Sequence, residues 1–441
     1  MKDVLKQLIL DFQGEGLPRH LFPRQIRVVK LRPAVRKAHV FIGVRRCGKT
    51  SAMYQYMKTL INQRVSIKHL IYINFEDDRL IGFNHRHFQY ILDAVFELDP
   101  SMTNSKKLFF FFDEIQEVEG WEKFIRRLLD REKMQIFITG SSAKMLGKEI
   151  ATELRGRTII YEIFPLSFPE YLQHADVRTV SQLTSTAKAR LTGYLDDYLK
   201  FGGFPEFHFY KDKNEFAHRQ LLQGYVETVV YRDIVDRHGL SNHRIVKMFL
   251  ISLIANSAAP ASIQKIYRDY KSQGYRISKN SLYDFLRYYE DSFCIFSIPL
   301  FSHSIRKQNQ NPKKVYPVDP GLITAYSIKP EFEFASRFET AVYLHLRRNV
   351  ADIYYYKTAS GKEVDFVTQT PEGEIQLFQA CYSMKNPETV AREENALIEA
   401  MKELNVRNAS IITFDDVGES VRGKVKISWA PFPVWMANLR R

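Results

Sequence analysis

Residues 43–50, Gly-Val-Arg-Arg-Cys-Gly-Lys-Thr, constrain the fold of this chain more than any other segment. A short apolar run at 39–42 precedes them and indicates a buried strand, and residues 50–61, with helical spacing, follow. The pattern G-x-x-x-x-G-K-S/T between a strand and a helix is typical of a phosphate-binding loop. Its glycines allow successive backbone N–H groups to point at phosphate oxygens, and the helix N-terminus adds partial positive charge.

The residue types in this loop predict separate contacts with ATP and with Mg²⁺. Lys49 would reach the β- and γ-phosphates as a point charge, and the Thr50 hydroxyl would face the metal ion. Arg45 and Arg46 either contact the nucleotide or a neighbouring subunit, or are exposed to solvent. The predicted nucleotide-binding set is Gly43, Val44, Arg45, Arg46, Cys47, Gly48, Lys49, Thr50 and Ser51.

Further apolar runs alternate with helical stretches after this loop. The pattern predicts strands at 69–74, 108–112, 135–139 and 161–164, and helices at 88–97, 120–132 and 142–153. The apolar runs are continuous, as expected for strands buried on both faces. This order predicts an α/β fold with a parallel sheet, in which ligands bind at the carboxyl ends of the strands.

Two acids, Asp113 and Glu114, follow the phenylalanine-rich strand at this carboxyl edge. Asp113 is predicted to hold Mg²⁺, and Glu114 to polarise the attacking water as a general base. A solvated pair of acids at a strand end is the alternative. Because a phosphate-binding loop lies upstream, the catalytic interpretation is favoured.

Three further residues are candidates for catalysis. The next strand ends in Thr-Gly-Ser-Ser, where Ser141 either positions the attacking water or caps the following helix. Arg155 and Arg157 precede the fifth strand, and one of them would be an arginine finger supplied to a neighbouring subunit. A salt-bridged surface pair is the alternative for these two arginines.

Together these segments resemble a prokaryotic branch of the AAA+ superfamily that is close to the STAND ATPases. The shared motifs, which extend over essentially the whole chain, lie at 43–50, 113–116, 139–142, 154–157, 164–170, 202–205 and 231–237. The resemblance implies an ATPase with ATP and Mg²⁺ as its ligands. It also implies a helical lid in which Pro205 lies near the nucleotide base. We further expect a homo-oligomer, with a hexameric ring as one form.

The segment 240–325 has the outline of a winged helix. Helical spacing at 244–256, 262–272 and 278–289 is followed by strand-like runs at 293–300 and 315–318. The third helix would be the recognition helix, and the polar segment 302–314 a flexible, cationic wing. The predicted DNA-binding residues are Lys279, Asn280, Arg306, Lys307, Lys313 and Lys314. Protein contacts or subunit packing are the alternative use.

The last segment predicts the element order αβββαβ and resembles the PD-(D/E)xK nuclease fold. The resemblance implies a metal site in which Glu339 is the helix acid and Asp365 the hairpin acid. The third motif departs from the family, because Gln379 stands for the carboxylate and Cys381 for the lysine. An amide oxygen can face a metal ion but lacks the charge that lowers the pKa of a bound water. The domain is therefore either a nuclease or, as we favour, an inactive module that binds DNA or a partner.

The predicted fold class is α/β, in four parts. They are an AAA+ P-loop core with an N-terminal lead-in (1–167), a helical lid (168–239), a winged-helix domain (240–325) and a C-terminal restriction-endonuclease-like α/β domain (326–441). Three functions fit this order: ATP hydrolysis coupled to binding or remodelling of DNA, branched DNA included; a STAND-type nucleotide-gated switch; and an ATP-regulated nuclease.

Composition supports a globular protein with a polyanionic partner. The 441 residues are 45% hydrophobic, and 64 Lys and Arg against 50 acids give a formal charge of +14, which favours nucleic acid. No apolar run approaches the roughly 20 residues of a membrane span. The N-terminus lacks the apolar core of a signal peptide. The cysteines at 47, 294 and 381 have no metal-ligand spacing, so we expect a cytoplasmic protein without a zinc site.

Overall fold

A computed structural model describes residues 1–21, 24–32, 35–104, 108–132, 134–140, 154, 156–175, 177, 185–210, 214–328 and 333–438. The chain divides into two compact units. The first comprises residues 1–177 with 291–293, and the second comprises 178–290 with 294–441. In the described part of the chain, no helix combines the length and the apolarity needed to cross a bilayer.

The first unit is built on a five-stranded sheet in which all neighbouring strands are parallel. Its strands are β1 (Ala38–Ile42), β2 (Leu70–Asn74), β3 (Phe109–Asp113), β4 (Gln135–Gly140) and β5 (Thr158–Glu162), in the order β2-β3-β4-β1-β5. The four phenylalanines of β3 are buried, as a strand covered on both faces requires. The predicted α/β class with a parallel sheet is confirmed, and β5 begins three residues before the predicted 161.

Helices cover this sheet. They are α1 (Lys2–Glu15), α2 (Lys49–Asn62), α3 (Phe88–Leu98), α4 (Trp121–Arg127, continued by a π-helical turn at Leu128–Glu132) and α5 (Phe168–His174). Ser167 caps α5: its hydroxyl accepts from the backbone N–H of Glu170, and the Glu170 carboxylate accepts from that of Ser167. The helix predicted at 142–153 lies outside the described residues.

A buried histidine in β1 makes the stability of the first unit depend on pH. His39 is 4% exposed, its ring stacks on Phe137 with centroids 4.7 Å apart, and Nδ1 lies 3.0 Å from the Tyr161 hydroxyl. Burial lowers the pKa of His39 to about 4. Burial lowers the pKa of His218, in the second unit, to about 4 as well.

We therefore expect acid to destabilise the fold, starting below pH 6.5. The unfolded chain takes up a proton near pH 6.5 that folded His39 takes up only near pH 4, so stability falls as pH decreases across that window. For one histidine the loss is roughly 2–3 kcal/mol. Urea unfolding measures the free energy of unfolding at pH 7.5 and at pH 4.5. The decrease between these pH values should be smaller for His39→Asn, which keeps the His218 contribution, than for the unaltered protein. An equal difference in both proteins would contradict the assignment.

The second unit begins with two helices separated by a glycine turn. They are α6 (Ser185–Phe201) and α7 (Glu215–Thr228), and α7 continues as a π-helical segment, Val229–Asp236. Between them Gly202 has φ +74°, and the Asp319 carboxylate accepts hydrogen bonds from the backbone N–H groups of Gly203 (2.6 Å) and Gly321 (2.8 Å). The turn is thus fixed by an acid more than 100 residues away in the chain.

Residues 243–326 form a helical cluster with a small antiparallel sheet. The elements are α8 (His243–Ala255), β6 (Pro260–Ala261), α9 (Ile263–Ser272), α10 (Lys279–Asp291), β7 (Ile295–Ile298), α11 (Ile305–Gln310), β8 (Lys313–Pro317) and α12 (Gly321–Tyr326), with sheet order β6-β8-β7. The predicted flexible wing is wrong in one respect, because α11 occupies it. The Ser304 hydroxyl caps this helix, which carries no apolar periodicity that would have predicted it.

The C-terminal segment forms a six-stranded mixed sheet flanked by helices. Its elements are α13 (Phe334–Asn349), β9 (Asp352–Lys357), β10 (Glu363–Gln369), β11 (Ile375–Ala380), α14 (Pro387–Glu403), β12 (Asn408–Thr413), β13 (Gly418–Arg422), β14 (Val425–Pro431) and α15 (Phe432–Asn438). The sheet order is β13-β14-β12-β11-β10-β9. The predicted αβββαβ order is present, and β13, β14 and α15 extend it. Helix α14 packs on β10, β11, β12 and β14.

Candidate nucleotide-binding site and C-terminal carboxylates

The phosphate-binding loop joins the end of β1 to the start of α2. Gly43 has φ +154°, and a Cβ atom there would lie 2.0 Å from the carbonyl oxygen of Ile163, so a larger residue cannot fit. Arg46, with φ +65°, and Gly48, with φ +96°, are two further left-handed positions in the loop. Helix α2 begins directly afterwards, so its N-terminal N–H groups are turned towards the space that the loop encloses.

Lys49 lies inside this loop. Its side chain is 4% exposed, and its ammonium is 3.4 Å from the carbonyl oxygens of Gly43 and Val44 and 3.5 Å from Glu114 Oε1. Burial opposes the charge, but Glu114 and the other nearby acids hold the pKa of Lys49 above its usual value. The loop therefore presents a permanent cation to an anionic ligand.

Asp113, at the end of β3, accepts hydrogen bonds from side chains of β2, β4 and α2. Thr50 donates a 2.8 Å hydrogen bond to its Oδ2, Tyr72 donates one of 2.9 Å to the same oxygen, and the Thr139 hydroxyl donates to Oδ1. Burial raises the pKa of Asp113, and the hydrogen bonds from the three hydroxyls work against that shift. The Thr50 hydroxyl and the Asp113 carboxylate are the hard oxygen donors that Mg²⁺ prefers, so the donor set fits that ion.

Glu114 follows Asp113 in a left-handed conformation, with φ +49°, which is uncommon for a residue with a side chain. Its backbone N–H donates to Thr139 Oγ1 at 2.9 Å, and Gln116 Nε2 donates to its Oε2 at 2.5 Å. Burial alone would raise its pKa, but Lys49, Gln116 and Arg45 together lower the pKa of Glu114. A carboxylate that stays ionised at neutral pH can accept a proton from water.

A buried ion pair between residues outside the phosphate-binding loop contacts the loop backbone. Arg24 (6% exposed) lies 3.2 Å from Glu170 (4% exposed) and donates to the carbonyl oxygens of Cys47, at 2.7 Å, and Phe164. The Gln55 side chain of α2 in turn bonds both backbone groups of Arg24, each at 2.8 Å. The N-terminal segment thereby fixes the carbonyl that precedes Gly48. Neither Arg24 nor Tyr72 was predicted, since no local motif marks either residue.

The remaining residues of the loop have defined positions. Arg45 lies 3.3 Å from Glu76, two residues after β2, Arg46 is exposed, and Ser51 is in the first turn of α2. Cys47 is fully buried, and burial raises the pKa of its thiol, so it is not a reactive thiolate. The loop, Asp113 and Glu114 are brought together as the sequence predicted, and their roles in binding and hydrolysis stay predictions.

For the other predicted site residues, the structure gives less information about their positions relative to the loop. Ser141 and Arg155 lie outside the described residues. Arg157 precedes β5 at the amino edge of the sheet and forms an ion pair with Asp130 of the same chain, which was the alternative to an arginine finger. Pro205 begins a short helix in the second unit and is buried there, and its place near the nucleotide base stays a prediction.

The residues predicted to form a metal site in the C-terminal domain make other contacts, and metal binding by them stays a prediction. Glu339 and Asp365 do meet, but the Lys314 ammonium lies between them, 2.9 Å from Glu339 Oε1 and 3.0 Å from Asp365 Oδ1. The Gln379 amide is engaged elsewhere: its Oε1 accepts from the Asp365 N–H (3.1 Å) and its Nε2 donates to Glu393 (2.7 Å). Among the described residues, no three His, Cys, Asp or Glu side chains are arranged to hold a metal ion.

The predicted DNA-binding residues divide into two groups. Lys314 is 1% exposed and paired with acids, so the prediction that it contacts DNA is wrong. Lys279 and Asn280 open α10, Arg306 and Lys307 lie exposed on α11, and Lys313 is exposed at the start of β8. For these five residues, DNA contact stays a prediction.

A phosphate-binding loop, a strand-end acid pair and a parallel sheet of order β2-β3-β4-β1-β5 define an AAA-type P-loop ATPase domain. Residues 35–172 match the model of a family described as an AAA domain. Residues 192–331 and 335–429 match two domains of unknown function, DUF8612 and DUF4143.

Two relatives extend over most of the chain. The uncharacterized protein MJ1544 of Methanocaldococcus jannaschii is 36% identical over 425 residues, which cover 95% of this chain and 90% of that protein. The chain belongs to the family of this protein. An uncharacterized protein of Haemophilus influenzae is 29% identical over 364 residues, covering 81% of this chain and 85% of its own length.

Solved structures with some similarity include the Walker-type ATPase PABY2304 of Pyrococcus abyssi. It has a TM-score of 0.41 and 14% identity, over 74% of this chain and 95% of that one. DnaA of Aquifex aeolicus bound to AMPPCP has a TM-score of 0.26 and 15% identity, over 64% of this chain and 86% of that one. Similarity at this level does not bear on function.

Proposed function

We propose that the chain binds ATP with Mg²⁺, hydrolyses the ATP and couples hydrolysis to the binding or remodelling of DNA. One observation carries the ATPase part of this proposal. A buried ammonium (Lys49), a hydroxyl (Thr50) and two carboxylates (Asp113 and Glu114) converge at the carboxyl edge of one parallel sheet. Phosphoryl transfer requires these groups to position a triphosphate, its metal ion and a water.

Each group has a distinct task in the proposed reaction. Backbone N–H groups of the loop and the Lys49 ammonium bind the β- and γ-phosphates. Mg²⁺, held by Thr50 and Asp113, would neutralise charge on the phosphates. Glu114 orients a water and accepts its proton as the oxygen bonds to the γ-phosphorus, and the bond to the bridging oxygen breaks to release ADP and phosphate. Gln116 and Thr139 keep Glu114 in place through the hydrogen bonds described above.

The DNA part of the proposal rests on shape and charge in the second unit. The order α8-β6-α9-α10-β7-α11-β8, with β8 in the centre of the sheet, supports a winged helix in which α11 occupies the wing. In this arrangement the N-terminal residues of α10 would meet base edges and the segment between β7 and β8 would contact phosphates. Lys279, Arg306, Lys307 and Lys313 supply cations there, in a chain of formal charge +14.

We expect DNA to stimulate ATP turnover and to bind in a salt-dependent manner. The double variant Arg306→Ala/Lys307→Ala should retain basal turnover, and the slope of log affinity against log salt should decrease by about 2. The matched control Lys402→Ala/Lys424→Ala removes two exposed lysines from the C-terminal domain and should leave the slope unchanged. The measurements are phosphate release and fluorescence anisotropy with duplex, single-stranded and branched DNA.

The same assay separates the proposal from a nucleotide-gated assembly switch, which the sequence resemblance also allows. Such a switch would hydrolyse ATP slowly at a rate that no form of DNA changes. Its oligomeric state, followed by light scattering, would instead depend on whether ATP or ADP is bound. Turnover that is indifferent to DNA would therefore overturn the DNA part of the proposal and leave the ATPase part intact.

A further inference from the structure

Lys314 is a buried lysine surrounded by acids from another part of the second unit. Its side chain is 1% exposed, and its ammonium lies 2.8 Å from Glu363 Oε1, 2.9 Å from Glu339 Oε1 and 3.0 Å from Asp365 Oδ1. Glu339 belongs to α13, and the other two acids belong to β10, whose pairing with β9 is irregular between Val364 and Val367. Lys314 itself comes from β8.

The contacts of this ammonium are complete. A lysine ammonium has three N–H donors; Lys314 donates hydrogen bonds to Glu339 Oε1 and Asp365 Oδ1, and Glu363 Oε1 adds an ion pair at 2.8 Å. The acids have further partners: Tyr316 donates to Glu339 Oε1 at 2.8 Å, and the backbone N–H of Ala380 donates to Asp365 Oδ2 at 3.0 Å. Burial opposes the charge of the lysine, but Asp365 and the other acids hold the pKa of Lys314 well above its usual value.

The lysine is also fixed in its position. Strand β8 is the centre of its sheet, and Lys314 pairs with Pro260 on one side and Ile298 on the other. A divalent cation would need carboxylate oxygens at about 2.0–2.6 Å, in the space that the ammonium fills. Displacing the ammonium would leave an uncompensated charge away from water, which is strongly unfavourable.

We propose that Glu339, Glu363 and Asp365 form an internal ammonium site whose resident cation is Lys314, and that this site excludes divalent metal ions. The ion pairs of this site connect β8 to the C-terminal sheet and to α13. It fixes the segment that carries Arg306, Lys307 and Lys313, and it leaves the C-terminal domain without the metal ion that phosphodiester hydrolysis at these acids would need. The ammonium site does not depend on ATP hydrolysis.

The first test uses the unaltered full-length chain without nucleotide. Replacing EDTA by millimolar MnCl₂ should change the Tm of the unaltered chain and of Asp365→Asn by the same amount. Incubation of linear or branched DNA with Mg²⁺ or Mn²⁺ should give no cleavage that depends on Asp365. A rise of Tm in MnCl₂ that Asp365→Asn removes, or cleavage that this variant abolishes, would overturn the proposal.

The second test compares neighbouring lysines that differ in burial. Lys314→Met should lower Tm by roughly 10 °C, because three acids lose their cation, whereas Lys313→Met should leave it nearly unchanged. Adding Glu339→Gln and Asp365→Asn to Lys314→Met removes most of the unpaired charge and should restore much of the loss. If Lys314→Met alone does not fold, folding of this triple variant gives the same support. A Lys314→Met protein as stable as Lys313→Met would overturn the proposal.

Discussion

Lys49→Ala is expected to abolish ATP turnover, and Glu114→Gln to slow it by at least about 100-fold while ATP still binds. The two effects differ because the groups act at different stages. In the proposed mechanism the Lys49 ammonium, buried in the loop, holds the phosphates, so its loss should remove binding as well as hydrolysis. Glutamine has the shape of Glu114 and can keep the hydrogen bonds to Gln116 and Thr139, but it cannot accept a proton from water.

Phosphate release measures turnover, and the anisotropy of a fluorescent ATP analogue measures binding. Lys58→Ala is the matched control, since Lys58 is an exposed lysine on the same helix, α2. It should resemble the unaltered protein in both assays. Turnover by Glu114→Gln close to that of the unaltered protein would show that another group takes the proton, and unimpaired ATP binding by Lys49→Ala would refute the phosphate-binding role of the loop.

Gly202→Ala is expected to destabilise the second unit by on the order of 5 kcal/mol. Two causes add. Gly202 has φ +74°, which disfavours any residue with a Cβ atom, and that atom would lie 1.7 Å from Asp319 Oδ1. The Asp319 carboxylate would have to move, and the backbone N–H groups of Gly203 and Gly321 would lose their buried acceptor.

Gly193→Ala is the control for this substitution. Gly193 lies inside α6, and a Cβ atom added there would meet nothing within 4 Å, so alanine should leave stability unchanged or raise it by about 0.5–1 kcal/mol. Thermal and urea unfolding of the full-length protein compare the two variants. Equal stability of Gly202→Ala and Gly193→Ala would show that the turn tolerates a side chain and that Asp319 does not fix it.

Local sequence was sufficient to predict the main sheet and the meeting of the loop at 43–50 with the two acids that end β3. A phosphate-binding loop acts through consecutive backbone groups, so its sequence signature is a run of consecutive residues, here Gly43 to Thr50. The β3 strand is buried on both faces, so its four phenylalanines form one uninterrupted apolar run. Asp113 and Glu114 follow that run directly, which placed them at the correct edge.

Contacts between distant residues were not predictable in this way. Arg24 and Glu170 are 146 residues apart, and neither belongs to a motif that predicts this contact from a single sequence. The G-G-x-P element at 202–205 was connected with the nucleotide base by resemblance, whereas its glycine turn is fixed by Asp319. Lys314 looked like one of several wing cations, because only the third dimension distinguishes it from its exposed neighbour Lys313.

The position of Lys314 bears on how the chain can be divided for experiments. A fragment that starts after residue 333 would keep Glu339, Glu363 and Asp365 and would lose the lysine whose ammonium lies within 3.0 Å of all three. Its acids would then have to take up protons or gather ions from the buffer. Metal affinity measured on such a fragment would result from the loss of Lys314 and would not describe the 441-residue chain.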